Sequence, residues 1–114
     1  MIDFACKKFD IGEVVKCSLG LSKSEFRLLN FFIKNKKEFT TDELSKSLNL
    51  DKSTIQRSVK KLHQKNLVSR GQINQSIGGY LFTYKVKDKQ KIRKIVLDTV
   101  ENWVEVFREE IESW

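Results

Sequence analysis

Four times along this chain, a side chain bearing an oxygen stands between two apolar residues at the spacing that starts a helix, and these four points restrict what the chain can fold into. Ser22-Lys23-Ser24-Glu25 is a full capping box. Its serine can accept a helix N–H while Glu25 reaches back, and Leu21 and Phe26 flank it as a hydrophobic staple. Thr40-Thr41-Asp42-Glu43 repeats the design between Phe39 and Leu44. Asp10-Ile11-Gly12-Glu13 is a variant with aspartate at the cap, between Phe9 and Val14, and Asp51 between Leu50 and Ile55 keeps the staple without the glutamate. The chain contains no proline, so helix boundaries must be read from such caps.

The segments behind these caps predict a mainly α, α+β fold. Phe26, Leu28, Leu29, Phe31, Phe32 and Ile33 go nearly all round a helix, which predicts a central one buried on more than one side. It ends in Lys34-Asn35-Lys36-Lys37, where cations suit the carbonyl end and Asn35 is placed to take a left-handed cap. Leu44, Leu48, Leu50, Ile55, Val59 and Leu62 let two short helices bury facing stripes, with Asn49 at the tight turn and Ser45 small where they cross. That spacing predicts a helix-turn-helix. After residue 66 the period becomes alternating. Tyr80, Phe82, Tyr84 and Val86 share one face of a strand, with Leu81, Thr83 and Lys85 on the other, and a strand from Leu67 to Ile73 can pair with it through the Asn74 to Gly79 loop. From Asp88 the helical period returns and runs to Trp114. Such a helix is about 40 Å long, more than so small a domain covers. Val96, Val100, Trp103, Phe107, Ile111 and Trp114 form a seam that predicts pairing with a second copy. The expected organisation is an N-terminal segment and short helix over 1–20, the helix-turn-helix and hairpin over 21–86, and a dimerisation helix over 87–114, in a single compact domain.

Charge points to the partner. The chain carries 22 Lys and Arg against 15 Asp and Glu, a net +7, with bases crowding residues 52–70 and 85–94 and acids crowding 101–112. The second helix of the pair buries Ile55, Val59 and Leu62, leaving Lys52, Ser53, Thr54, Gln56, Arg57, Lys60 and Lys61 on its outer side. No acid occurs from Lys52 to Arg70. A merely solvated helix would mix in acids; short polar groups and arginine suit a helix that reads the major groove of double-stranded DNA. No apolar run approaches the roughly 18 residues of a membrane span. Asp3 interrupts the first residues, and no signal-peptide pattern follows. A cytoplasmic protein with no membrane partner is expected.

Residues with chemical potential do not assemble into a catalytic site. Cys6 and Cys17 lack the spacing of a zinc knuckle and His63 is the only histidine, so one chain cannot supply an ordinary four-ligand zinc site. Two chains could supply four thiols across a dimer, and a redox or metal-sensing role for the pair is the minority reading. The simpler one makes Cys17 a small buried residue on the first helix. Glu105, Glu109, Glu110 and Glu112 read as a solvated face, and Gly78-Gly79 is followed by no phosphate-loop Lys-Ser or Lys-Thr. No enzyme, metal or cofactor is expected.

The stretch from Thr40 to Gly71, followed by Gly78 to Val86, resembles the winged helix-turn-helix regulators of the MarR and TrmB type, especially small archaeal ones. The most characteristic parts are Ser53-Thr54-Ile55 with Arg57, Lys61-Leu62 leading to Asn66-Leu67-Val68, and Tyr84 on the returning strand. The resemblance covers residues 20 to 86 and implies a two-stranded wing, with the terminal helix as the dimerisation element. It implies base or near-base contacts for Ser53, Thr54, Gln56 and Arg57, phosphate contacts for Lys52, Lys60 and Lys61, and an approach of Arg70 to the backbone. One departure stands out: the wing tip Asn74-Gln75-Ser76-Ile77-Gly78 lacks the arginine many relatives insert into the minor groove, so wing readout limited to polar or backbone contacts is expected. The sugar-binding domain of larger TrmB-type proteins is also missing, so the resemblance names no small-molecule effector. A winged-helix module used for protein contacts in a larger assembly, or one that binds RNA, are the alternatives.

Overall fold

The computed structural model describes residues 2–114. Its elements run β1 (Ile2–Phe4), β2 (Lys7–Phe9), α1 (Ile11–Leu19), α2 (Lys23–Lys34), α3 (Thr41–Leu48), α4 (Lys52–Gln64), β3 (Val68–Asn74), β4 (Tyr80–Val86) and α5 (Lys89–Glu112). The chain divides into two units, one of residues 22–89 and one joining the N-terminal residues up to Leu21 with Gln90–Trp114.

In the first unit α2 and α3 pack on α4, α4 packs on β3, and α2 also meets β4. Leu28, Leu29 and Phe32 of α2, Leu44 of α3, Ile55, Val59 and Leu62 of α4, and Leu67 and Val68 at the strand entry are all fully buried. Each such side chain contributes about 1.5–3 kcal/mol of burial. Both capping boxes form: Ser22 accepts from the Glu25 N–H and Thr40 from the Glu43 N–H, each at 3.2 Å, while the glutamates accept the cap N–H groups in return.

α3 and α4 end by the same device. Asn49 (φ 53°) and Asn66 (φ 61°) adopt the left-handed region, and the next residue's N–H reaches back five positions, Leu50 to Ser45 at 3.2 Å and Leu67 to Leu62 at 3.0 Å. The Ser45 hydroxyl donates to the Leu50 carbonyl, so this small residue also closes the turn. Arg27 of α2 donates to the Leu48 carbonyl at 2.9 Å, occupying an orphan acceptor at the end of α3. Asn35 departs from expectation. Its backbone is not left-handed (φ −126°); its side-chain amide instead donates to the Phe31 carbonyl at 3.0 Å and ends α2 directly.

β3 and β4 pair antiparallel in the register Val68 with Val86 through Asn74 with Tyr80. On β4 the buried residue is Thr83, 4% exposed, on the face opposite the aromatic one. Its partner Gly71 explains this: a Cβ there would lie 2.9 Å from Thr83 Oγ1, so glycine makes the room that the threonine fills. Phe39 adds a third short rung, exchanging two hydrogen bonds with Tyr84 at 2.8 and 2.9 Å. Its ring lies 5.2 Å from Phe31 and 6.1 Å from Phe32.

In the second unit, α1 ends at Gly20 in the left-handed region, with Leu21 N–H donating to the Lys16 carbonyl at 3.0 Å. Asp10 stands at the N-cap of α1 with extended backbone but makes no side-chain cap bond. A hairpin of β1 and β2 precedes it, with Ile2 opposite Phe9, an element the sequence reading did not include. Cys17 is exposed, which corrects the expectation of a buried thiol. On α5 Ile92 is buried, whereas Leu97, Val100, Trp103, Val104, Val106, Phe107 and Ile111, and Trp114 just beyond its end, are exposed. No helix among the described residues is long and apolar enough to cross a membrane.

Candidate nucleic-acid interface

α4 presents a polar and cationic face because its buried stripe is narrow. Ile55, Ser58, Val59 and Leu62 face inward; Lys52, Ser53, Gln56, Arg57, Lys60 and Lys61 are exposed, and Thr54 is half-buried. Ser53, Arg57, Lys60 and Lys61 follow at helical spacing on one side. Among the described residues no carboxylate engages Arg57, Lys60 or Lys61 in an ion pair.

The start of α4 is more constrained than the sequence implied. Asp51 caps the helix by accepting the Thr54 N–H at 3.2 Å, and its two carboxylate oxygens also accept the hydroxyls of Thr54 (2.5 Å) and Ser53. The Ser53 and Thr54 hydroxyl bonds, followed by the Thr54 N–H, hold the Asp51 carboxyl down at about 2. Both hydroxyl protons are thus committed inward, and what these two side chains offer outward is oxygen lone pairs. Lys52 does not stand free either: its ammonium lies 2.8 Å from Asp42 at the start of α3, and that hydrogen bond and charge lower the Asp42 carboxyl. An ion pair this exposed is weak and can exchange for another anion.

Arg70 lies on β3 with its guanidinium over the Phe82 ring, 4.4 Å from its centre. Phe82 in turn meets Tyr80 edge to face at 5.0 Å. Phe82 was legible as a strand residue but not as the support of a cation. Of the residues expected at the interface, seven therefore share α4 and Arg70 sits on the strand that packs against it. His63 is half-buried near the end of α4.

The seam residues Val96, Val100, Trp103, Phe107, Ile111 and Trp114 all lie on α5 or at its end, and Trp103 and Phe107 stack with rings 5.4 Å apart and nearly parallel. Cys6, in the turn between β1 and β2, and Cys17 are free thiols, and among the described residues no three His, Cys, Asp or Glu side chains gather as a metal site would need.

A helix-turn-helix whose second helix carries the polar face, followed at once by a hairpin wing, defines a winged helix-turn-helix protein with a long C-terminal helix. The chain belongs to the DnaD N-terminal domain family, whose model matches residues 11–106. A solved structure from Methanosarcina mazei Go1, described as a possible transcriptional regulator, is 44% identical and is matched over 100% of this chain and 96% of its own, with a TM-score of 0.94. The uncharacterized protein MJ1503 of Methanocaldococcus jannaschii is 28% identical over 108 residues, 95% of this chain and 81% of its own. The fold alone is shared with S. aureus MepR in a MepR–DNA complex, at 13% identity and a TM-score of 0.55 over 89% of this chain and 70% of that one. The winged-helix class implied by the stretch around Ser53 to Arg57 is the class these likenesses define.

Proposed function

We propose that this protein is a sequence-specific regulator of transcription that binds double-stranded DNA as a homodimer, with α4 in the major groove. The observation that carries the reading is the outer face of α4. It is exposed and free of acids, and it is held by a helix-turn-helix rather than by a flexible tail. Gln56 and Arg57 are the base-reading side chains, Ser53 and Thr54 offer acceptors to base amino groups, and Lys52, Lys60 and Lys61 lie against phosphates. The description of the Methanosarcina mazei relative as a possible transcriptional regulator and the DNA-bound MepR fold support this reading. The run of exposed apolar residues along α5 supports dimerisation, since contiguous apolar surface of this kind commonly marks an interaction site. All these roles are binding roles, and no reaction is assigned.

Two α4 helices on one face of a duplex call for a two-fold-symmetric site with half-site centres about 34 Å apart. Selection of genomic fragments by the purified protein, followed by binding across a salt series, tests this. Enrichment of such a motif with a steep salt slope is the expected result. Retention of function by a variant with Arg57, Lys60 and Lys61 all changed to alanine would instead make the fold a protein-contact module, and preference for single-stranded RNA over duplex DNA in competition would make RNA the ligand.

A further inference from the structure

The wing differs from the rest of the chain in its charge. The protein is 32% Asp, Glu, Lys and Arg, yet from Gly71 to Tyr84 no charged residue occurs. Exposed strand edges ordinarily carry charge to prevent unwanted pairing, but this neutral run ends in apolar surface. Ile73, Tyr80 and Leu81 are exposed near the tip, and Ile77 at the turn itself is 93% exposed. The tip is held in shape by two backbone bonds of 3.1 Å, Gln75 N–H to the Gly79 carbonyl and Gly78 N–H to the Gln75 carbonyl. Gly78 (φ 96°) and Gly79 (φ 79°) complete the turn with open space where a Cβ would stand, so the tip is slender as well as apolar. Charge returns only at the root, with Arg70 and Lys85 on the two strands.

We propose that Ile77 is an apolar wedge that enters the DNA minor groove beside the α4 site, parts a base step and bends the duplex. The inference rests on the DNA-binding reading above. An arginine tip is held by the groove's negative potential and need not enter the stack. A neutral branched aliphatic side chain gains nothing from that potential; it gains only where it leaves water, and in a minor groove that place is between base planes. Continuity with α4 favours DNA as the occupant. β3 leaves the end of α4 within three residues and packs on it, and seven strand residues carry the tip about 20 Å. Half a turn of duplex, the step from a major groove to the neighbouring minor groove, is about 17 Å. The cations at the wing root suit the phosphates that line that step, leaving the tip neutral where the bases begin.

The test uses the full chain and a duplex carrying its selected site, end-labelled to report bending by energy transfer, with 2-aminopurine in the flanking minor-groove step to report unstacking. The wild type is expected to bend the duplex by between about 20° and 90° and to raise 2-aminopurine emission. Ile77→Ala is expected to abolish both signals and weaken binding about tenfold, as cutting back a buried isoleucine would. Ile77→Arg is expected to recover affinity with a steeper salt slope but not the bend. Because Ile77 is a solvent-exposed turn residue, its replacement leaves the core intact. A wild type that binds a straight duplex, or an Ile77→Ala protein that bends it equally, overturns the wedge and leaves the α4 reading standing. Ile77→Ala protein that bends DNA normally but sediments as a smaller assembly overturns it in favour of a protein contact. Failure of the wild type to bind duplex removes both readings.

Discussion

Asp51 does two things with one carboxylate, satisfying the orphan N–H of Thr54 and ordering the Ser53 and Thr54 hydroxyls at the start of the outer face of α4. Its carboxyl is held at about 2 against an ordinary 3.8, a depressed value, so the stability it contributes is complete above about 4 and is lost as pH falls toward 2. Asp51→Ala is therefore expected to unfold at lower urea than the wild type at pH 7, with the gap closing as urea melts are repeated down to pH 2. Asp51→Asn, still a good cap, should recover most of the stability at pH 7 without that pH dependence. A gap that stays constant with pH would show that the carboxylate's charge plays no part. The cap was legible in the sequence because Asp51, Leu50 and Ile55 have the spacing of a helix start. The shared hydroxyls were not, since nothing in the order of residues says which way a serine turns its proton. Asn35 and Asn49 show the same limit. Both stand at helix ends, yet one takes the left-handed backbone and the other uses its side chain.

Among the elements, those with a capped start or a long period were the most readable: α1 to α4 begin at their expected caps, and α5 and the β3–β4 hairpin match their expected places. β1 and β2 were missed because three-residue strands containing Asp3, Lys7 and Lys8 show no alternation, and their pairing depends on the turn between them. The burial of Thr83 was missed for a different reason. Hydropathy favours the aromatic face of β4, whereas the space opposite Thr83 is created by Gly71 across the ladder. Gly71→Ala is accordingly expected to destabilise the protein by about 1–3 kcal/mol through overpacking. In a Thr83→Ala background, where the 2.9 Å contact is gone, the same change should cost less than half as much. Equal costs in the two backgrounds, measured by denaturant unfolding, would place the strain elsewhere in the wing.

At the scale of the whole molecule, the proposed function draws affinity and specificity from different elements, so the two can be separated. In the proposed dimer α4 would carry the groups that meet one half-site, while the exposed seam of α5, with Trp103 61% and Trp114 97% exposed, would join two copies. A dimer converts the second half-site contact into an intramolecular event, which raises affinity by a factor of about 10²–10⁴ without any new contact to DNA. Trp103→Glu with Phe107→Glu replaces two stacked rings on that seam by like charges. Since both rings are exposed within one chain, the change should leave the thermal melt of a dilute single chain nearly unaltered while halving the mass in sedimentation. Binding to a duplex with two half-sites should fall by that same factor, and binding to a single half-site should stay within about twofold. Arg57→Ala should do the reverse, weakening single and double sites alike and relaxing base preference by about 1–3 kcal/mol at the position it reads. If the α5 variant lost affinity for the single half-site as well, the seam would belong to the DNA-binding fold itself, and the division of labour between α4 and α5 would be wrong.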